Sequence, residues 1–224
     1  MELADFNSAY KGERLFLLGN GPSLNDTPLE MLSGEHTFAM NNIAAIYPKT
    51  SWRPSFYFNI AWKIRKELAL ASIALGIPSF VRTNSPFPDT QNLLRLRVES
   101  RLAPTGHKLS RTPQWSHDSE ECVVSYRMSA YGLVQLAIWM GFESIYMLGM
   151  DLSFSTNPSK CHFTDKYDGA FEWSPRLVAY ENYWHRVAHE WVRWYANLSE
   201  ARVYNATVGG NLEVYPRVDL LEVL

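Results

Sequence analysis

The sequence is short of cysteine, of charge of one dominant sign and of long apolar runs, and each shortage removes a class of protein. Of 224 residues only two are cysteine, Cys122 and Cys161. They form no C-x-x-C pair, so no zinc knot or disulfide framework is at hand, and a reduced, cytoplasmic setting is the simplest expectation. The 21 basic residues stand against 23 acidic ones, a net charge of -2. That balance argues against a nucleic-acid partner or a polybasic membrane anchor. No stretch approaches the ~18 consecutive apolar residues of a transmembrane helix. The opening MELADFNSAYKGER is polar and acidic where a signal peptide would be basic and then apolar. There is no internal repeat and no low-complexity segment. The regularly spaced nucleotide loops are missing too, with neither G-x-G-x-x-G nor G-K-[ST] present.

What is there reads as a globular protein, 46% hydrophobic and 20% charged. Aromatic residues are the exception at 14%. A single ring most often fills a core, but an exposed one suits stacking on a sugar or a base. Short apolar runs alternate with amphipathic stretches. RLFLLG (14–19), HTFAMN (36–41), PSFYFN (54–59), IPSFVRT (77–83), SIYMLGMD (144–151) and ARVYNAT (201–207) read as strands with their ends, and regular patterning resumes at CVVS (122–125) after the middle stretch. Residues 62–76, 129–142 and 177–198 have helical spacing, with Ser129 placed as an N-cap. Two irregular excursions, 84–121 and 152–175, interrupt the pattern as loops or lids, the first with room for a short helix at TQNLLRLRVESR (90–101). Strands alternating with helices predict one Rossmann-like α/β domain over 1–224, its mostly parallel sheet covered by helices on both faces. Such sheets bind ligands beyond the carboxyl ends of their strands.

One segment asks for an explanation: RLFLLGNGPSL, residues 14–24, ends a buried strand in two glycines, an Asn, a Pro and a Ser. Gly19 and Gly21 permit a ligand to approach the backbone, Asn20 offers a donor and an acceptor, and Pro22-Ser23 suits a helix start whose free N–H groups attract an anion. The bland alternative is a tight turn with Asn20 in the left-handed region. Other strands also end in polar residues: Asn41-Asn42, Asn59, Gly149-Met150-Asp151 and Asn205-Ala206-Thr207. In a parallel sheet these ends share one edge, where together they would form a cleft reading a ligand's hydrogen-bonding groups.

LFLLGNGPSL followed by a strand ending in Asn resembles the opening of bacterial family-42 sialyltransferases. MSAYGLVQLAIWMGFESIYMLGMDLSF (128–154) resembles their central helix, opened by a Ser, and the strand that ends in Gly-x-Asp. The same signatures occur in the wider MptE-like family, with its 6-hydroxymethylpterin diphosphokinases and flagellin-modifying proteins. The resemblance implies a glycosyltransferase that moves a sugar, a nonulosonic acid, from a CMP-linked donor to a glycan-type acceptor without a metal. It implies that Gly19, Asn20, Gly21 and Ser23 meet the phosphate and ribose. Asn41, Asn42 and Asn59 would reach the cytidine or sugar, Ser129 the donor, and Asp151 the nucleotide or its neighbours. The family's phosphate-binding tyrosine just after Gly-x-Asp is Ser153 here, with Tyr126 and Tyr167 as candidate substitutes.

His162, in KCHFTDKYDG, is the candidate general base, since a sugar hydroxyl must lose a proton as it attacks. His185 is the alternative base; it and His189 stand four apart on a helix, a spacing open to a metal, but they lack the Glu of a zincin and a third ligand, so both read as structural or surface residues. Asp165 and Asp168 with Asp151 could hold Mg2+, which is the core of the alternative, an ATP-dependent pterin diphosphokinase. A second alternative is a noncatalytic nucleotide- or glycan-binding domain. Arg217 could reach a phosphate or a sugar carboxylate, although such an Arg is more often a salt-bridged end-of-chain anchor. The aromatic helix 177–198 leaves room for a homo-oligomer, with core packing as the plainer reading.

Overall fold

Leucine, β-branched and aromatic residues in short proline-free runs form strands because they pack well on a pleated, two-sided surface. In the computed structural model, which describes residues 1–61, 64–99, 113–164 and 173–224, these runs pair side by side. In chain order the elements are β1 (Arg14–Leu18), β2 (Thr37–Met40), β3 (Phe56–Asn59), α1 (Lys66–Ile73), β4 (Ser79–Arg82) and β5 (Leu93–Leu96). They continue with β6 (Val98–Glu99), β7 (Val123–Val124), α2 (Ser129–Trp139), β8 (Ser144–Leu148), α3 (Pro175–Leu198), β9 (Arg202–Asn205) and α4 (Leu220–Val223). Seven strands make one parallel sheet in the order β5-β4-β3-β2-β1-β8-β9, and β6 pairs with β7 separately.

Both faces are covered, as buried strands without polar alternation require. Leu15, Leu17, Phe38, Phe56 and Phe58 pack with Leu133, Leu136 and Ala137 of α2 and Ala188 and Val192 of α3. Their sequence neighbours Phe16, Leu18, Ala39 and Tyr57 pack on the other side with Ala69 and Ile73 of α1 and with Leu24, Leu29 and Ile43 of short 3-10 turns. Each large apolar side chain buried in this way adds about 2 kcal/mol, and a one-residue slip of a strand would exchange its two sets of neighbours. This is the expected Rossmann-like α/β fold. Among the described residues no helix is long and apolar enough to cross a membrane.

The order of the strands positions the site. The chain winds outward from β1 through β2, β3 and β4 to β5, then returns on the other side of β1 as β8 and β9. The winding therefore reverses between β1 and β8, and the ends of those two strands open a crevice.

Two local expectations are corrected. The 90–101 stretch holds strand β5 rather than a short helix: Leu94 and Leu96 turn inward while Leu93 and Arg95 are partly exposed, a period of two. Arg95 anchors it, its guanidinium 2.7 Å from Asp89 Oδ1 and 2.8 Å from the Phe87 carbonyl. Ser129 is the first helical residue of α2 and Met128 the N-cap, because the Ser129 hydroxyl donates sideways to Asn41 Oδ1 at 3.3 Å instead of back to its own helix. Residues 62–63 of the expected first helix lie outside the described residues.

Candidate functional site

β1 runs out into Gly19-Asn20-Gly21 and its neighbour β8 into Gly149-Met150-Asp151. The two bends touch. Gly19 N donates to the Leu148 carbonyl at 2.8 Å and Gly21 N to the Gly149 carbonyl at 2.9 Å. A Cβ on Gly19 would run into the Gly149 carbonyl, and one on Gly21 into the Asp151 carboxylate. The glycines are thus demanded first by the neighbouring bend, and only then by anything that approaches from outside. Asp151 closes the joint: Ser23 N donates to Oδ1 at 3.1 Å and Ser23 Oγ to Oδ2 at 2.8 Å. Burial pushes the Asp151 carboxyl up, and the Ser23 donors pull it back.

In front of this joint lies a cavity of about 250 Å³. Its walls are the 19–21 bend, the 149–154 segment, Asn41, the entry to α2 from Arg127 to Ala130, the 161–162 turn, and His185 and His189 of α3. Of the residues expected from sequence, Gly19, Asn20, Gly21, Asn41, Ser129, Asp151 and His162 line it together. Ser23 sits behind Asp151. Asn42 and Asn59 are buried away from the cavity and hold backbone: Asn42 Oδ1 accepts from Arg65 N at 3.0 Å and Asn59 Oδ1 from Ala61 N at 3.1 Å. Asn205 does the same, its Nδ2 donating to the Leu212 carbonyl and its Oδ1 accepting from Thr207 N. Arg217 ties the Gly-Gly turn, donating to the carbonyls of Thr207, Gly209 and Gly210, and so is an anchor. Tyr126 is buried beneath the Arg127 guanidinium. Asp165, Tyr167 and Asp168 lie outside the described residues.

Asn20 is the odd member. It is 7% exposed, its Nδ2 donates to the Met40 carbonyl at 2.9 Å, and its Oδ1 has no donor on it among the described residues. A buried amide oxygen left unpaired costs about 1–3 kcal/mol. Its backbone is not in the left-handed region; Asn41 is, with φ 54°. Arg127 at φ 63° and Leu152 at φ 49° share that conformation. Three non-glycine residues with positive φ thus line one cavity, a concentration of backbone strain typical of functional sites.

The wall made by α2 is electropositive. The N–H groups that open a helix have no carbonyl partner within it, and the helix dipole adds partial positive charge. Arg127, which sequence reasoning passed over, places its guanidinium beside them, held by the Tyr180 hydroxyl at 2.9 Å and by the Trp184 ring at 4.8 Å. Its only sequence signal was a cation just before a helix start. The wall suits an anion.

Among the described residues, three histidines also line the cavity. His162 donates to the Asn20 backbone carbonyl, and burial pushes its pKa down to about 4. His189 is 3% exposed, with Nδ1 3.0 Å from the Tyr215 hydroxyl, and burial pushes it to about 3. The Tyr215 hydroxyl donates to the His189 carbonyl, so it must accept from Nδ1–H, which leaves Nε2 unprotonated. His185 has Nε2 3.5 Å from Glu181 Oε2 one turn earlier on α3, and its ring meets Phe154 edge-on with centroids 4.7 Å apart. Asn182 fixes Phe154 in turn, bonding its N–H and its carbonyl at 3.1 Å each. The expected structural role fits His189, while His185 faces the cavity with Glu181 beside it. The Glu181–His185 spacing of four, a carboxylate one turn before an imidazole, was the signal available in the sequence.

No protein-family model matches the chain, and no curated protein matches it. Its fold is similar to that of a solved structure, the MAf glycosyltransferase from Magnetospirillum magneticum AMB-1, with 16% identity and a TM-score of 0.52. The match covers 97% of this chain and 37% of that one. This chain therefore spans little more than a third of that protein's length, and at such identity the likeness is one of fold alone.

Proposed function

We propose that the chain is a glycosyltransferase that moves a sugar, a nonulosonic acid in our reading, from a CMP-linked donor to a glycan-type acceptor. The observation that carries this reading is the cavity at the β1–β8 reversal, which pairs an electropositive helix entry with a buried, unpaired amide oxygen on Asn20. The N–H groups that open α2 and the Arg127 guanidinium would receive the phosphate. Asn20 Oδ1 would accept from a ribose hydroxyl or the cytosine amine. As the acceptor oxygen bonds to the anomeric carbon, the bond to phosphate breaks and its electron pair goes to the phosphate oxygen. Preorganised donors aimed at that charge are the main means of catalysis, and no metal is needed in this scheme. The acceptor's proton goes to one of the cavity histidines. The fold shared with a glycosyltransferase supports the same class. We read the whole chain as one nucleotide-binding domain.

The diphosphokinase alternative is the weaker one, because both Asp151 oxygens, needed there for Mg2+, are held by Ser23. Thermal shift with CMP, CDP, ATP plus Mg2+, and pterins separates the readings. CMP is expected to stabilise the fold without metal, by about 2.7 kcal/mol at a hundred times its Kd. A shift that needs both ATP and Mg2+, with none from CMP, would overturn the transferase reading.

A further inference from the structure

We infer that the general base of the cavity is His185, oriented by Glu181, and that His162 instead holds the 161–163 turn against the β1 bend. The inference rests on the sugar-transfer reading and adds to it which residue takes the proton. Three imidazoles line the cavity, and their partners sort them. His189 is enclosed and fixed to Tyr215 at 3.0 Å. His162 is tied to the Asn20 carbonyl, which also accepts from Phe163 N at 3.1 Å, so the ring belongs to a structural joint. A base held near pKa 4 also drives proton transfer poorly at neutral pH.

His185 differs in each respect. Its side chain keeps 21% of its exposure while lining the cavity. Phe154 packs its edge against the ring, and Asn182 locks Phe154, so the imidazole plane is set from two elements. Glu181 Oε2 stands 3.5 Å from Nε2 and orients that side toward a carboxylate, leaving Nδ1 as the atom to take a proton. Among the described residues, the charged and titratable groups around it are Glu181 and His189 on α3, His162 on the 161–163 turn and, by way of Glu181, Arg127 at the α2 entry. Of these, only Glu181 is an anion, and His185 holds its carboxyl below the usual range. An ionised carboxylate at that distance favours the imidazolium that forms as the proton arrives. In the step, the acceptor O–H proton passes to His185 Nδ1, the oxygen bonds to the anomeric carbon, and the phosphate leaves with the electron pair. Glu181 does not touch the reacting atoms; it is a positioning residue.

The test measures CMP release from CMP-N-acetylneuraminic acid with water as acceptor, and CMP affinity by calorimetry, for wild type, His185→Ala, His162→Ala and Glu181→Gln. His185→Ala is expected to lower kcat about a hundredfold or more and to leave the CMP Kd unchanged within about twofold. Glu181→Gln is expected to lower kcat about tenfold with KM and the CMP Kd unchanged, the mark of a positioning residue. An active wild type whose His185→Ala variant turns over normally, or whose Glu181→Gln variant keeps its full kcat, overturns the proposal and leaves the transfer reading standing. A wild type that neither binds CMP nor consumes the donor overturns the transfer reading and the proposal with it.

Discussion

Asparagine follows or ends β1, β2 and β3, yet the residues at the β1 bend and those at the β3 end do different work. Asn20 beside the β1–β8 joint lines a cavity and keeps an oxygen with no donor on it among the described residues. Asn59 at the end of β3 is as deeply buried and is satisfied by Ala61 N at 3.1 Å. Neighbouring Asn41 and Asn42 divide in the same way, one lining the cavity and the other bonding Arg65 N. The difference comes from topology and not from residue type. Between β2 and β3 the chain continues in one direction. Between β1 and β8 the direction reverses, and the connections part.

The largest expected effect breaks the joint itself. Gly21→Ala puts a methyl into the Asp151 carboxylate and within 2.7 Å of the Gly149 carbonyl, backbone and buried side chain that cannot swing away. A loss of about 3 kcal/mol or more is expected in chemical denaturation. Next is pH. His189 has its pKa pushed down to about 3, so its contribution to stability is complete above the unfolded value of about 6.5 and drains away as pH falls toward 3. His189→Gln is expected to flatten the loss of stability between pH 7 and pH 4 by about 3 kcal/mol, read from denaturation midpoints across that range. Asp151 acts in the opposite sense. Its raised folded pKa means that its ionisation costs stability as pH rises through that value, so acid relieves it. Ser23→Ala removes a hydroxyl donor from this carboxylate and is expected to cost about 2 kcal/mol at neutral pH.

The smallest changes sharpen the contrast most. Asn20→Ala and Asn59→Ala each free one buried backbone partner and are expected to cost about 1 kcal/mol. Only Asn20→Ala is expected to weaken CMP, by about tenfold on the usual worth of one hydrogen bond; Asn59→Ala, measured by the same calorimetry, is expected to bind as the wild type does.

The layout of β1, β2, β3 and β8 was legible because a strand buried on both faces must be apolar along its whole length, and few other structures ask for that. β5 was harder: Leu93–Leu96 is four residues long, and a window of twelve hides a period of two behind the helix-favouring Leu and Arg around it. The glycines at 19 and 21 marked the right place for an incomplete reason, since a sequence does not reveal that the partner bend at 149–151 presses on them. Asn42 and Asn59 misled because a strand-end asparagine looks the same whether it meets a ligand or its own chain two residues on. His185 stood behind His162 as the alternative base and, paired with His189, read as a structural or surface residue of the helix. Its actual partners, Phe154 and Asn182 behind it, depend on how α3 packs against the segment after β8.

The claim beneath all of this is that the β1–β8 crevice, and not the remaining strand ends, receives a nucleoside monophosphate. Amide chemical shifts recorded as CMP is added test it directly. The account predicts saturable shifts at Gly19, Asn20, Gly21, Ser129 and Ala130, with Asn42 and Asn59 unmoved. Shifts confined to other surfaces, or none at millimolar CMP, would contradict it.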